Sequence, residues 1–187
     1  MDADRAYCER FTGSNGGLNA TRLSIYPFLK EIANSLVNSA TGKSPIRLNL
    51  FSGHDTVIAP VLAALGVYQD PELCKWPQYA SRISFELWKG LSTSSVPTSS
   101  SSSETEAAAI ASHYVRVVFN GQDVTKKIST CAKEMNGSGF SSSMMSSAAA
   151  SSNGHTKMCS LHAFVQQIDS LIAPYSSIQA ACGSKMM

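Results

Sequence analysis

Leu48-Asn49-Leu50-Phe51-Ser52-Gly53-His54-Asp55-Thr56 changes its period in the middle, and the change reads as strand, tight polar turn and helix. Upstream of the turn, Ile46, Leu48 and Leu50 alternate with Arg47, Asn49 and Phe51, the period of two expected of a buried strand. Ser52 and Gly53 break that run. From Thr56 onward, Val57, Ile58, Val61, Leu62 and Leu65 follow helical spacing, and Gly66 stands where a C-terminal cap glycine belongs. The turn thus sets a histidine and an aspartate side by side at a helix N-terminus. Free N–H groups and the positive end of the helix dipole converge there, which suits an anion such as phosphate.

Working outward, 187 residues fit one domain by length. A net charge of +2 with no basic run gives nucleic-acid binding no support. No apolar run reaches the roughly 18 residues of a membrane span. The start, Met1-Asp2-Ala3-Asp4-Arg5, lacks the apolar core of a signal peptide. Five cysteines (Cys8, Cys74, Cys131, Cys159 and Cys182) include no C-x-x-C pair, so a zinc site has no support. Two glycosylation sequons, at Asn19 and Asn136, stand in loop-like contexts. Together with the cysteines they favour the lumen of the secretory pathway. The odd cysteine count without a targeting segment points to further sequence upstream.

Residues 1–18 end in Thr12-Gly13-Ser14-Asn15-Gly16-Gly17 and read as coil. From about Thr21 to Val37 the stripe Leu23, Tyr26, Leu29, Ile32, Leu36 and Val37 predicts an amphipathic helix, with Pro27 tolerable near its first turn or at a kink. After the Thr56–Leu65 helix, a loop with Asp70-Pro71 and Trp76-Pro77 leads to a second strand over about 79–89, with Ile83, Phe85 and Leu87 on one face. Residues 91–112 are Ser-rich and then Ala-rich and read as a mobile insertion. His113–Phe119 alternates as a third strand, and Asn120-Gly121 marks a tight turn. The second and third strands are expected to form an antiparallel hairpin. A second Ser/Ala/Met-rich insertion covers about 137–154. Ser160 is the expected N-cap of a last helix carrying Leu161, Phe164, Val165, Ile168 and Leu171, ended by Pro174, with a frayed tail from Cys182.

Read locally, Asp55 is a helix N-cap and His54 an exposed loop histidine. A functional reading needs a second basic or nucleophilic group at the same turn, and no other residue clearly supplies one. The wider pattern adds to this. The strand, Ser52-Gly53-His54-Asp55-Thr56 and an apolar helix ending in Ala64-Leu65-Gly66 resemble the C-terminal signature of the histidine acid phosphatases. Trp76-Pro77-Gln78-Tyr79-Ala80-Ser81 with Phe85-Glu86-Leu87, Tyr114-Val115-Arg116-Val117 through Asn120-Gly121, and Cys159-Ser160-Leu161 with Cys182 resemble the segments that follow it. The resemblance covers most of residues 20–182 outside the two insertions. Leu48–Gly66 and Trp76-Pro77 are most similar to the 2-phosphoxylose phosphatase branch.

The resemblance implies hydrolysis of phosphomonoesters through a phosphohistidine, with no metal or other cofactor. One histidine attacks phosphorus, arginines and a second histidine hold the equatorial oxygens, and an acid protonates the leaving oxygen. On that pattern His54 is the phosphate-clamping histidine and Asp55 the general acid, while Gly53 permits close backbone approach. The branch implies the phosphorylated xylose of a glycosaminoglycan linker as substrate, in the Golgi lumen or outside the cell. Inositol phosphates and lysophosphatidic acid are the alternatives within the family.

The sequence departs from the family at one large point: it contains no Arg-His-Gly, the motif that carries the nucleophile. His113, His155 and His162 lack the required neighbours and read as structural or surface residues. Arg47, Arg82 and Arg116 read as ordinary sheet-face residues. The chain is therefore expected to be the C-terminal part of one phosphatase domain over 1–187, inactive alone, or else a non-catalytic phosphatase-like binding module. The implied fold is α/β, a central sheet flanked by helices, incomplete here. By the family's pattern Cys131 and Cys159 pair, and Cys182 resembles a cysteine whose partner lies upstream. Cys8 and Cys74 could pair with each other or remain free buried thiols.

Overall fold

In the computed structural model, residues 3–13, 17–90, 102–136 and 158–183 are described. The longest element is helix α2, Gly17–Ala40. It buries Thr21, Ile25, Leu29, Ile32 and Ala33, a stripe at steps of three and four that faces the core. Pro27 lies well inside this helix on an exposed position, and the helix extends beyond the expected Thr21–Val37 at both ends. Asn19 is consequently helical rather than in a loop, and Thr21 of its sequon is buried. Asn136, the other sequon, is the last residue of a helix.

The expected N-terminal coil is instead helix α1, Ala3–Thr12. Its polar residues conceal a short apolar face of Tyr7, Cys8 and Phe11, and Arg5 pairs with Glu9 one turn on. Cys8 is bonded to Cys74, which ties α1 to the loop beyond the next helix. That helix, α3, runs Asp55–Ala64, with everything from Ala59 to Ala64 buried. Gly66 follows at φ 85°, the left-handed conformation that its position as a terminator predicts.

The hairpin forms, although its first strand begins at Ile83 rather than at about 79, where Tyr79 and Ala80 form an exposed turn. Strand β1, Ile83–Lys89, pairs antiparallel with β2, His113–Phe119, from Ile83 opposite Phe119 to Lys89 opposite His113. β2 alternates strictly, burying His113, Val115, Val117 and Phe119. Asn120 and Gly121 both take positive φ, as a two-residue hairpin turn requires, and lead into the short strand β3, Gln122–Asp123. Between the paired strands, the Ala-rich end of the expected mobile insertion forms helix α4, Ser102–Ala111, with Ile110 against the core. Residues 91–101 of that insertion, the 137–154 insertion and His155 lie outside the described residues.

Helix α5, Ser129–Asn136, is joined by the Cys131–Cys159 disulfide to strand β4, Cys159–Ser160, which pairs with β2 through Tyr114 and Val115. The Ser160 hydroxyl then accepts from the Ala163 N–H at 3.1 Å and caps helix α6, Leu161–Asp169. Leu161, Phe164 and Ile168 of α6 are fully buried with Leu29, Leu62, Val115, Val117 and Ile128 in one core. α6 is not the last helix: α7, Ile178–Gly183, follows Pro174 and holds Cys182 exposed and free.

The main departure is at residues 44–54. The expected strand over 46–51 has no regular secondary structure and no ladder, and Leu48 and Leu50 are 74% and 85% exposed. The described sheet consists of β1, β2, β3 and β4, and none of these strands pairs with this segment. A strand needs a neighbour to satisfy its backbone groups, whatever its side-chain pattern. What holds the segment is local: Asn49 donates to the Ser35 hydroxyl at 2.5 Å, and the Phe51 ring meets Phe28 edge-on at 5.1 Å. An open groove of about 590 Å³ lies between it and α2.

Candidate active site

The turn after this unpaired segment has the geometry of a helix start. His54, not Asp55, is the N-cap of α3, with extended φ −108° and ψ 173°. Its carbonyl accepts from the N–H groups of Val57 and Ile58 at 2.9 and 3.1 Å. The His54 side chain makes no capping hydrogen bond and is exposed. Asp55 is the first helical residue, where a carboxylate is favoured by the dipole without having to cap. This corrects the local expectation and leaves the Asp55 carboxyl available for another role.

Gly53 allows the turn to lie close on the first helical turn: a Cβ there would stand 3.3 Å from the Val57 Cβ. That is tighter than ordinary side-chain contact, so a larger residue would need Val57 to yield by a few tenths of an ångström. His54, Asp55 and the first-turn N–H groups thus share one surface, with the amides' partial positive charge behind them.

The partner of Asp55 comes from the helix missed in the sequence. The Tyr7 hydroxyl of α1 donates to Asp55 Oδ2 at 3.3 Å. Tyr7 is buried and its phenol is pushed up to about 12, first by burial and then by the Asp55 charge and hydrogen bond, with Arg10 opposing. Its ring stacks on Trp76 at 4.3 Å and meets Phe11 at 5.2 Å. The Trp76 N–H donates to Asp4 of α1 at 3.1 Å. Two residues away, the Cys8–Cys74 bond joins the same helix and loop covalently. Tyr68 completes this wall: burial raises its phenol far above the ordinary value, and its hydroxyl donates to the Lys75 carbonyl at 2.9 Å. The signal that could have found Tyr7 is its place beside Cys8 and one turn before Phe11, a helical triplet too short to stand out as a period.

The remaining candidates lie elsewhere. His113 is buried, with Nδ1 2.6 Å from the Ala109 carbonyl, and joins β2 to α4 as a structural residue. His162 is exposed on α6. Arg116 pairs with Glu86 at 2.7 Å and lies over the Trp88 ring at 5.3 Å, which makes it the sheet-face residue expected. Arg82 and Arg47 are exposed, Arg47 on the unpaired segment. Among the described residues no side chain hydrogen-bonds to His54, and no cluster of His, Cys, Asp and Glu could hold a metal. No helix among them is long and apolar enough to cross a membrane.

The architecture is that of an α/β protein, an antiparallel sheet packed with helices, which presents a histidine and a carboxylic acid at one helix start. The sequence matches the histidine phosphatase superfamily (branch 2) over residues 11–120, and the chain belongs to that superfamily. It is 33% identical over 116 residues to 2-phosphoxylose phosphatase 1 of Xenopus tropicalis, covering 62% of this chain and 19% of the relative. To the human 2-phosphoxylose phosphatase 1 it is 29% identical over 109 residues, covering 58% and 18%. It is also 32% identical over 74 residues to human lysophosphatidic acid phosphatase type 6, covering 37% and 16%. The chain spans about a fifth of the length of the curated relatives it matches. No solved structure matches the sequence.

Proposed function

We propose that this chain carries the phosphate-clamping and proton-donating part of a phosphomonoesterase active site, and that residues 1–187 are part of one phosphatase domain. His54 would donate an N–H to a non-bridging phosphate oxygen, helped by the α3 amides. As a nucleophilic imidazole forms the P–N bond and the P–O ester bond breaks, the Asp55 carboxylic acid would pass its proton to the departing ester oxygen. Water then attacks the phosphohistidine, and the carboxylate takes a proton from it. The nucleophile belongs to an Arg-His-Gly segment that this sequence does not contain.

The observation that carries this reading is the His54–Asp55 pair at the start of α3, with the carboxyl held by Tyr7 rather than spent on capping. The 2-phosphoxylose phosphatase relatives support the phosphorylated xylose of a glycosaminoglycan linker as substrate, and the lysophosphatidic acid phosphatase relative supports the competing one. Two disulfides support the lumen of the secretory pathway, the Golgi included, whereas the Asn19 sequon, helical and with Thr21 buried, adds no support. The absence of Arg-His-Gly supports a second reading, a binding module that holds phosphate esters without turnover.

The purified chain is expected to leave p-nitrophenyl phosphate intact at acid pH. In a protein that carries this stretch together with an Arg-His-Gly-x-Arg-x-Pro segment, Asp55→Asn should slow alkyl phosphates by about 10²–10⁴-fold. p-Nitrophenyl phosphate should suffer far less, because its leaving group departs without a proton. Robust turnover by the chain alone, abolished by His54→Ala, would contradict a separate nucleophile. Equal losses on both substrates would contradict Asp55 as the acid. No catalysis in any setting, with phosphate-ester binding retained, would favour the binding module.

A further inference from the structure

We propose that Tyr7 is a positioning residue for Asp55: its clamped phenol holds one carboxylate oxygen and fixes the side-chain rotamer that the helix-start site uses. The inference rests on the reading of Asp55 as proton donor.

Asp55 needs an external restraint. As the first residue of α3 it has no capping bond to fix its side chain, and a short carboxylate at a half-exposed helix start can turn between staggered rotamers. Among the described residues, the Tyr7 hydroxyl makes the one hydrogen bond to that side chain. A tyrosine can serve as a fixed post only if it is itself immobile, and Tyr7 is restrained on three sides. Trp76 stacks on its face, Phe11 meets its edge, and the Cys8–Cys74 bond anchors its helix to the loop that carries Trp76. The Asp4 carboxylate holds the Trp76 backbone from the same helix. Helix α1 and the 73–77 loop therefore act as one bracket whose polar tip is the Tyr7 oxygen. Burial of the ring keeps that tip protonated, so it remains a donor to the carboxyl.

A core role for the aromatic ring and a positioning role for the hydroxyl separate in Tyr7→Phe, which keeps the ring and removes the post. The test uses isotope-labelled 187-residue chain and the three-bond couplings from N and C′ to Cγ of Asp55, which report its χ1 rotamer without turnover. In the wild type these couplings are expected at single-rotamer values. In Tyr7→Phe they should collapse toward the averaged values of a freely rotating side chain, with the amide spectrum of α2, β1 and β2 unchanged. Couplings that stay at single-rotamer values in a folded Tyr7→Phe chain overturn the proposal.

Should Tyr7→Phe fail to fold, Asp55→Asn decides from the other side. Loss of the carboxylate charge should lower the Tyr7 midpoint and raise its ionised fraction at pH 11 above that of the wild type, as read from its 13Cζ resonance. An unchanged ionised fraction overturns the contact. Neither readout needs catalysis, so either failure removes the role of Tyr7 while the phosphatase reading stands or falls by the leaving-group assay.

Discussion

Two stretches of this chain carry the same alternation and meet opposite fates. Ile83, Phe85 and Leu87 form a strand, half-buried against Phe164 and its neighbours, because β2 lies alongside to satisfy their backbone. Ile46, Leu48 and Leu50 are as regular and as apolar, yet they stand largely in solvent with no strand beside them. The difference teaches that period two specifies which face a strand will bury, while a partner decides whether there is a strand. It also separates the packed core, made of the hairpin, α2, α3, α5 and α6, from the exposed segment that leads into His54.

The sharpest contrast should come from truncating each side. Phe164→Ala, at a site of zero exposure, should cost about 3–5 kcal/mol in denaturant unfolding. Leu50→Ala should change stability by less than about 0.5 kcal/mol, because the side chain is already in water. Comparable losses at the two positions would mean that the 46–51 segment is packed after all.

Next in size is the staple that fixes β4 beside β2. Replacing Cys131 and Cys159 together by serine should cost about 3.6 kcal/mol, the chain-entropy value for a separation of 28 residues, seen as a lower melting temperature. Exchange protection of Val115 and Val117 amides should fall with it, whereas the 46–51 amides should exchange fast in both proteins.

On the hairpin's outer face, Arg116→Ala removes a one-third-exposed ion pair with Glu86 and a contact with Trp88. About 1 kcal/mol is expected in urea titration. Smaller still is the Asp70–Lys127 pair, which joins the post-α3 turn to the turn before α5. The Lys127 hydrogen bond, then the Glu72 backbone N–H, hold Asp70 below its ordinary value of 3.8. A depressed carboxyl contributes stability above its unfolded value and loses it as pH falls through the folded one. Asp70→Asn should therefore lower the neutral melting temperature slightly and flatten the acid end of the stability profile, so that the two proteins converge as the pH falls below about 4.

Much of the scaffold was legible because it rests on local chemistry. The β2 boundaries, the positive-φ turn at Asn120-Gly121, the terminator Gly66 and the Ser160 cap each follow from a residue type whose conformational preference is strong, while the Cys131–Cys159 pair came from the family's pattern. What could not be read depends on contacts distant in sequence. α1 owes its order to Cys74 and Trp76 more than to its own weak apolar face, so it passed for coil. The 46–51 pattern announced a strand for which the described sheet supplies no partner. The site was half legible: Gly53, His54 and Asp55 stand out at a helix start, but the hydroxyl that holds Asp55 comes from 48 residues away.

The central claim is that the His54–Asp55 turn is a phosphate site. It is tested most directly by titrating the labelled chain with inorganic phosphate at pH 5 and following backbone amides and histidine rings. The account predicts saturable shifts concentrated at Gly53–Val57 and the His54 ring, lost in His54→Ala. Shifts that are absent there at tens of millimolar phosphate, or that persist unchanged in His54→Ala, would contradict it.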